Sequence, residues 1–272
     1  MKEIILITGC SSGIGLELAK EFNVREKQVI ATARNSQIIE HLKKDGIDIF
    51  DLDITKSESI TKCVDYIMNK YSKIDILINN AGYGLFGPVI ELSIEDIKKQ
   101  FETNVIGHIE LIQKVAPIMI RNNSGKIVNI GSVSGILSTP FAGAYCASKS
   151  AIHSFSDSLR MELKPFGVEV LTIQPGAIKS NFGDRGSKDI EKYSRETSIY
   201  NKYYSGIQNR VNSSQDTPTP AEEFAQLAAD YILSQNPTPV KRIGNLSWKL
   251  PAIKALLSDT IIDAMLIKKF LS

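Results

Sequence analysis

Three side chains in one stretch of the sequence, Ser132, Tyr145 and Lys149, have the types and spacing to interconvert an alcohol and a carbonyl. The stretch after Pro140 is predicted to be helical to about Lys164, and residues four apart on a helix share a face. A phenol has a pKa near ~10, and an ammonium beside it favours the phenolate. The Tyr145 hydroxyl could then exchange a proton nearer neutral pH while Ser132 holds a substrate oxygen.

The same tyrosine–lysine spacing occurs a second time, at Tyr66 and Lys70. On a helix such a pair is usually a solvated surface pair, so the spacing alone does not indicate catalysis. The two places differ in what precedes them. An apolar, β-branched stretch, Lys126–Ile130, predicts a buried strand whose loop carries Ser132 toward Tyr145, whereas no such loop leads into the Tyr66 helix.

Composition favours one globular domain over residues 1–272, with 43% hydrophobic and 23% charged residues. The net charge of +2 gives no strong field for nucleic acid or for an anionic membrane. The three cysteines are scattered and odd in number, which favours reduced thiols and a cytoplasmic protein. The three histidines share no ligand spacing, so no metal site is expected.

Strands alternate with helices along the first two thirds of the chain. This order predicts an α/β fold, a single Rossmann-type doubly wound parallel sheet with helices on both faces. The predicted strands are Ile4–Thr8, Gln28–Ala33, Ile47–Leu52, Ile74–Asn79, Lys126–Ile130, Val168–Ile173 and Val240–Ile243. The other predicted helices are one ending near Asn23, Ser57–Tyr71, a helical region over Ile94–Arg121, and Ala221–Ser234.

The alternation stops after Gly176. Residues 180–216 are polar with four tyrosines, and we expect them to fold over the site as a substrate lid. Residues 251–271 predict a C-terminal helical extension of one or two amphipathic helices, packed over the substrate cleft or against another subunit. A membrane-surface role is disfavoured, because Asp259 and Asp263 would oppose anionic lipid.

A glycine-rich loop follows the first strand. Its residues are Gly9, Ser11, Ser12, Gly13, Ile14 and Gly15, with Cys10 between the first two. Glycines between a strand and a helix allow a tight turn and a close approach of the backbone to a pyrophosphate, which rests on the helix N-terminus. We therefore expect nucleotide binding here.

Two other motifs overlap these loops. Gly9 to Gly13 also matches G-x-S-x-G, the hydrolase nucleophile elbow, but too few residues precede Ser11 to complete an oxyanion hole. The run from Gly82 to Gly87 matches G-x-G-x-x-G. It is followed at once by a proline and opens no strand–helix–strand unit, so it is better explained as a loop passing close to a ligand.

The end of the second strand bears on the choice of cofactor. An acidic residue about 20 residues past the last glycine would bind the ribose 2′-hydroxyl of NAD. Arg34 stands in this region instead, and a guanidinium would pair with a 2′-phosphate. The sequence therefore favours NADP over NAD, although the glycine loop offers no second basic residue.

Taken together, these motifs resemble those of the short-chain dehydrogenase/reductase family over about residues 2–180. The resemblance rests on Thr8-Gly9-x-x-x-Gly13-Ile14-Gly15, Asp51-Leu-Asp53, Asn79-Asn80-Ala81-Gly82, Asn104, Ser132, Tyr145-x-x-x-Lys149 and Pro175-Gly176. It implies a Rossmann fold, a nicotinamide cofactor, and Tyr145 as the general acid/base. Lys149 would lower the pKa of Tyr145 and bind the nicotinamide ribose, and Ser132 would hold the substrate oxygen.

The resemblance also implies roles for residues outside this trio. Asn104 would hold a water linking Lys149 to solvent, although it could instead only cap or kink its helix. Asp53 would meet the adenine, or only start a turn. The other implied cofactor contacts are Asn80, Ala81, Gly82, Pro175, Gly176, Ile178 and Ser180, the last standing where the family often has threonine.

The predicted function is an NADP-dependent oxidoreductase that interconverts a secondary alcohol and a ketone or aldehyde. Mostly apolar residues are candidates for lining a lipophilic substrate, as in members acting on steroids or retinoids: Tyr83, Phe86, Val133, Phe141 and Phe182. The family resemblance implies a homodimer or homotetramer. The alternative is a non-catalytic NADP-binding redox sensor, which would need none of the Ser132, Tyr145 and Lys149 chemistry.

Overall fold

The structure, a computed structural model, describes residues 2–180 and 190–272. Its strands are β1 Ile4–Ile7, β2 Gln28–Ala33, β3 Asp48–Asp51, β4 Ile76–Asn79, β5 Gly125–Ile130, β6 Val168–Pro175 and β7 Val240–Ile243. They form one sheet in the order β3-β2-β1-β4-β5-β6-β7, and all neighbours pair in parallel. The order reverses between β1 and β4, and ligands of such sheets bind at the carboxyl edge beside that point.

Helices connect the strands and cover both faces of the sheet. Within the described residues they are α1 Gly13–Val24, α2 Ser57–Tyr71, α3 Ile94–Phe101, α4 Gly107–Arg121, α5 Gly143–Leu163, α6 Tyr204–Asn212, α7 Ala221–Leu233, α8 Lys249–Leu256 and α9 Asp259–Phe270. Shorter 3₁₀ segments are Ser36–Asp45, Val89–Glu91, Val133–Gly135, Lys164–Phe166, Glu191–Ser194 and Asn201–Tyr203. The predicted doubly wound parallel sheet and its C-terminal helices are confirmed.

The sheet is buried on both faces, which explains why its strands are apolar without a polar alternate. In β1, Ile5 and Ile7 pack in the layer beneath α1 and α7, whereas Ile4 and Leu6 pack in the layer beneath α2 and α4. Successive side chains of a strand point to opposite faces, so both sets must be hydrophobic. The two layers fix the carboxyl edge of the sheet, where the candidate site lies.

Two local predictions differ from the structure. The helical region from Ile94 to Arg121 is interrupted by a π-helical turn, Glu102–Ile106, which joins α3 to α4. The final helix, α9, is not amphipathic in the predicted sense. Its buried Ile262 and Phe270 do not form a stripe opposite a polar face, because large apolar side chains elsewhere on the helix are about half exposed.

Among the described residues, no helix combines the length and the apolar character that crossing a bilayer requires. The three cysteines, Cys10, Cys63 and Cys146, are buried free thiols. Burial raises the pKa of both Cys10 and Cys63 to about 12, so these two thiols stay protonated near neutral pH.

Candidate active site

The structure brings Ser132, Tyr145 and Lys149 together at the carboxyl end of β5. Ser132 follows the strand and begins a short 3₁₀ turn, whose Ser134 N–H donates to its hydroxyl at 3.1 Å. Tyr145 and Lys149 lie one turn apart on α5, as predicted. All three are buried, with 7, 8 and 5% exposure, and the Ser132 hydroxyl hydrogen-bonds the Tyr145 phenol.

Burial has the largest effect on the pKa values of Tyr145 and Lys149. It raises the pKa of Tyr145 to about 12, against the opposing effect of the hydrogen bond from Ser132. It lowers the pKa of Lys149 to about 8, and the amino group donates to the Ile130 carbonyl oxygen at 2.7 Å. The phenol pKa therefore lies above its ordinary value, opposite to the prediction. Lys149 is directed at the backbone, and desolvation of the phenol outweighs the favourable contacts.

A histidine that the sequence reading missed completes this part of the site. His153 Nε2 accepts a hydrogen bond from the Ser132 backbone N–H at 3.3 Å. Burial, and then the charge of Lys149, lower the pKa of His153 to about 4, so the ring is neutral and able to accept. The sequence spacing could have indicated His153, because Tyr145, Lys149 and His153 are four residues apart and share one helix face.

Asn104 lies in the π-helical turn and holds the loop after β4. Its Oδ1 accepts from Tyr83 N at 3.1 Å, and its Nδ2 donates to Tyr83 O at 2.9 Å. Nδ2 also donates to Ser148 Oγ at 3.2 Å, and the Ser148 hydroxyl bonds the Tyr145 carbonyl. Gln100, which the sequence reading missed, binds the same loop through Leu85 N and Tyr83 O. These bonds show that Asn104 holds the loop after β4 from the helix irregularity, and its link to a water stays a prediction.

The glycine loop and the loop after β4 interlock. The Thr8 hydroxyl accepts from the backbone N–H groups of Asn80 and Ala81, both at 2.9 Å. Asn80 Nδ2 donates to Thr8 O at 2.8 Å and to Gly9 O at 3.1 Å. Gly9 has a φ of +73°, and a Cβ there would lie 2.7 Å from the Ala81 Cα. A side chain at position 9 would therefore be strained and would also push the two loops apart.

The opening of α1 fits the phosphates of a dinucleotide. Ser12 caps the helix without a side-chain hydrogen bond to it, and the first N–H groups of a helix lack intrahelical partners. Gly13 has a φ of +59°, and a Cβ there would lie 3.1 Å from the Cβ of Ser180, so this predicted contact residue borders the loop. Ile14 is partly buried and packs against the core layer that lies beneath α1 and α7.

Arg34 and Asp53 lie beyond the ends of β2 and β3. Arg34 is exposed, and no carboxylate of residues 2–180 or 190–272 forms an ion pair with it. The Asp53 carboxylate accepts from the N–H and the hydroxyl of Thr55, at 3.1 and 2.7 Å. Burial alone would raise the pKa of Asp53, but the Thr55 bonds outweigh it and lower the value. Asp53 thus starts a turn before α2, and its contact with the adenine stays a prediction.

Pro175, Gly176 and Ile178 lie at the end of β6, in a tightly packed crossing. A Cβ at Gly176 would lie 1.9 Å from the carbonyl oxygen of Asn245, so the glycine is required by packing. Ile178 is buried and forms an isolated bridge with Thr219. These residues hold the backbone that borders the glycine loop.

An apolar cluster, which we call the substrate-side cluster, lies beside Tyr145. Its buried members are Phe86, Phe141, Ala142, Cys146, Ile190, Tyr193, Ile207, Val211 and Phe270. The Phe86 and Tyr145 ring centroids are 6.3 Å apart. Of the predicted lining residues, Phe86 and Phe141 belong to this cluster, Tyr83 and Val133 lie outside it, and Phe182 is outside the described residues.

The described part of the predicted lid packs onto this cluster, and so does the C-terminal extension. Tyr193 fills the space above Gly87, where a Cβ would meet its ring at 2.6 Å. In α6, a Cβ at Gly206 would lie 1.8 Å from the Phe270 carbonyl oxygen, so α6 and α9 are in close contact. The C-terminal helix α9 therefore packs against α6, and its Phe270 belongs to the substrate-side cluster.

Arg210 of α6 is the third residue that the sequence did not reveal, after His153 and Gln100. It is 7% exposed, and its guanidinium lies 5.4 Å from the centre of the Phe86 ring. Burial lowers its pKa from the ordinary arginine value, and its positive charge acts on Tyr145. The polar and unpatterned segment around it gave no sign that this arginine is buried beside Tyr145.

Comparison with known proteins shows which family the chain is similar to. The family model for short chain dehydrogenases matches residues 3–191. A Helicobacter pylori protein named "Probable short-chain type dehydrogenase/reductase VdlC" is 35% identical over 264 residues, 96% of this chain and 95% of that protein. The NADPH-dependent 1-acyldihydroxyacetone phosphate reductase of Saccharomyces cerevisiae is 31% identical over 279 residues, 99% of this chain and 91% of that one.

Solved structures share the whole fold. A short-chain dehydrogenase from Streptomyces avermitilis is 26% identical with a TM-score of 0.82, over 98% of this chain and 96% of that one. Relatives of this fold carry either cofactor. A serine dehydrogenase complexed with NADP+ is 26% identical (TM-score 0.77, 90% and 95% covered), and NAD+-bound xylitol dehydrogenase is 25% identical (0.75, 89% and 97%).

Proposed function

The chain belongs to the short-chain dehydrogenase/reductase family, and from that premise we propose that it is an NADP(H)-dependent oxidoreductase that interconverts a secondary alcohol and a ketone or aldehyde on a lipophilic substrate. The observation that carries the proposal is the burial of Ser132, Tyr145 and Lys149 together beside the substrate-side cluster. A sensor would gain nothing from desolvating an ammonium beside a phenol.

NADP is proposed over NAD because Arg34 is exposed at the end of β2 and unpaired with any described carboxylate. The name of the yeast relative, an NADPH-dependent reductase of an acyl-bearing ketone, supports both the cofactor and the lipophilic substrate. The residues proposed to hold the cofactor are those of the glycine loop, the loop after β4, Lys149, Pro175, Gly176, Ile178 and Ser180. When bound, the nicotinamide supplies or accepts hydride at the carbonyl carbon.

Tyr145 carries the proton in this proposal. In reduction its hydroxyl donates to the carbonyl oxygen, and in oxidation the phenolate accepts a proton from the alcohol. The Ser132 hydroxyl, already bonded to the phenol, holds the same oxygen. His153 fixes the Ser132 backbone, and Asn104 and Gln100 fix the loop opposite. A substrate held between these groups reacts faster because its orientation is set on binding.

Tyr145 is in its protonated form near neutral pH, the form that a reduction requires. A phenol with a pKa of about 12 is protonated near neutral pH, and this is the form that donates. Lys149, with a pKa lowered to about 8, lies close enough to neutrality to gain or lose a proton under working conditions. We propose that the charge on Lys149 adjusts the acidity of the phenol once ligands replace solvent around it.

A homodimer or homotetramer is part of the proposal. The family resemblance implies pairing through the helices that carry Asn104 and Tyr145. Large apolar side chains stand exposed just before α4 and on α5: Ile106 at 47%, Phe155 at 44% and Met161 at 65%. Burial of such side chains in an interface would remove apolar surface from water. Sedimentation at micromolar protein checks this, and a species that stays monomeric at that concentration contradicts it.

The test of the function starts from cofactor binding. NADPH and NADH are titrated by fluorescence, and then ketones and aldehydes of increasing chain length are added while the absorbance of the reduced nicotinamide is followed. We expect oxidation with at least one lipophilic carbonyl compound. Tight NADPH binding with no turnover across the whole series would favour the sensor instead.

Arg34→Ala tests the cofactor preference. We expect NADPH affinity to fall about tenfold or more while NADH affinity changes little, because only the 2′-phosphate needs the guanidinium. Lys56→Ala is the matched control, since Lys56 is another exposed cation and forms an ion pair with Asp53. If both variants weaken NADPH equally, the effect is a general loss of positive charge and the assignment of Arg34 is wrong.

A further inference from the structure

Arg210 is a buried cation whose hydrogen-bond partners among residues 2–180 and 190–272 are all neutral. Nε donates to the Thr139 hydroxyl at 2.5 Å, and Nη1 donates to the Ser213 hydroxyl at 3.3 Å. The Cys146 thiol is also within hydrogen-bonding range of the guanidinium. No carboxylate among residues 2–180 and 190–272 lies within ion-pair distance of it.

This arrangement is costly unless something neutralises the charge. A buried arginine is ordinarily paired with a carboxylate, because removing a charge from water is repaid only by a close opposite charge. A guanidinium has five N–H donors in a planar fork that fits two oxygens of a carboxylate or phosphate. Two hydroxyls and a thiol neither carry negative charge nor use the whole fork. The missing partner is therefore an anion from outside the described protein.

The position of Arg210 indicates which anion. The guanidinium stacks over Phe86, and the ring of Phe86 also lies beside Tyr145. A group bound to Arg210 would thus sit at the edge of the substrate-side cluster, beside the phenyl ring that neighbours the reacting hydroxyl. The positive charge of Arg210 already reaches Tyr145, so the two residues share one electrostatic environment.

We infer that Arg210 binds an anionic head group, a carboxylate or a phosphate, carried by an otherwise apolar substrate. The apolar part packs in the substrate-side cluster, and the anion pairs with the free side of the guanidinium fork. This inference rests on the proposed function for its statement that the ligand is a substrate. The anion site itself is testable without turnover.

The test measures binding of three ten-carbon probes by calorimetry. Decyl phosphate, decanoate and decanol are each titrated, below micelle-forming concentrations, into protein saturated with NADPH, so that the cofactor phosphates occupy their own site. We expect at least one of the two anions to bind about tenfold or more tightly than decanol. The tighter of the two identifies phosphate or carboxylate. Equal affinity for all three probes overturns the inference.

Two variants assign the preference to this residue. Arg210→Met should lose the preference for the anion while decanol affinity stays within about threefold, and Arg195→Met, an exposed arginine of the same segment, should keep it. Retention of the preference in R210M overturns the inference. If R210M does not fold, R210Q replaces it, and retention of the preference for the anion in that variant also overturns the inference.

The function and the anion site can fail separately. If no carbonyl compound oxidises NADPH but anion binding depends on Arg210, the proposed function fails and the site stands. If neutral ketones are reduced but the three probes bind equally, the function stands and the inference fails.

Discussion

The chain contains two helical tyrosine–lysine pairs with the same spacing, and the structure places them in opposite environments. Tyr145 and Lys149 are buried, and the lysine donates to a backbone carbonyl. Tyr66 and Lys70 lie at the surface of α2, and both donate to the Asp48 carboxylate, at 3.1 and 2.7 Å. The spacing sets a shared helix face in both cases, and the surroundings decide what that face can do.

The two lysines respond to their surroundings in opposite directions. Burial lowers the pKa of Lys149 to about 8, whereas the hydrogen bond to Asp48 raises the pKa of Lys70 above the ordinary lysine value. Burial alone would raise the pKa of Asp48, but the bonds from Lys70 and Tyr71 outweigh it and lower the value. The surface group is a satisfied ionic cluster, while the buried pair holds a charge without an opposite charge beside it.

Replacing the two tyrosines should give the largest contrast. Tyr145→Phe is expected to lower turnover by about 10²- to 10⁴-fold, the usual contribution of a positioned acid or base, with cofactor binding unchanged. Tyr66→Phe removes only a surface hydrogen bond and should leave turnover within about twofold. Turnover of the reduced nicotinamide with the best carbonyl substrate measures both, and near-wild-type activity in Y145F would refute the role of Tyr145.

Replacing the two lysines should separate activity from stability. Lys149→Met is expected to lower turnover by tenfold or more and yet to raise the free energy of unfolding at pH 7. A pKa lowered from 10.5 to about 8 corresponds to a cost on the order of 3 kcal/mol for the buried ammonium. Lys70→Met should leave turnover intact and lower stability slightly. Denaturant unfolding with parallel kinetics checks both, and a K149M variant less stable than wild type would contradict the account.

The pH dependence of stability should differ between the same two variants. The unfavourable contribution of Lys149 is fully present below pH 8 and shrinks as pH rises from about 8 toward 10.5, because the folded state loses its proton first. The free energy of unfolding of the wild-type protein should therefore rise relative to that of K149M across this interval. The contribution of Lys70 is favourable below the ordinary lysine pKa and is lost only at higher pH. If the free energy of unfolding of K149M and that of K70M, each taken relative to wild type, change with pH in the same way, this assignment is contradicted.

The smallest effect is expected at Asp48. Asp48→Asn should destabilise the protein by about 1 kcal/mol or less, as for most exposed ion pairs, and should not change turnover. Because its pKa is lowered, the stabilisation by Asp48 is present above the ordinary carboxyl pKa and is lost as pH falls through the folded value. A wild-type protein and a D48N variant that unfold alike at pH 7 would show that the cluster adds no stability.

The sequence was sufficient for those features that depend on local pattern. The positions of the strands along the chain, the α5 face with Tyr145 and Lys149, and the glycine loop follow from apolar periodicity and turn residues, and the sheet confirms the fold class. The features it missed depend on tertiary contact. Asp48 reaches Tyr66 because α2 packs against β3, and Arg210 reaches Phe86 because α6 folds back over the site. Burial sets the direction of the pKa shifts of Tyr145 and Lys149, whereas hydrogen-bond partners set those of Asp48 and Lys70, and neither burial nor partners can be read from spacing.

The most direct test of the central claim changes the acidity of one phenol at a time. Tyr145 is replaced by 3,5-difluorotyrosine, whose ring makes the phenol more acidic, and Tyr66 is replaced in the same way as the matched control. The pH profile of kcat/KM for carbonyl reduction is then compared with wild type. The account predicts that the high-pH limb moves to lower pH for position 145 and stays in place for position 66. An unmoved profile at position 145, or an equal shift at both positions, would contradict it.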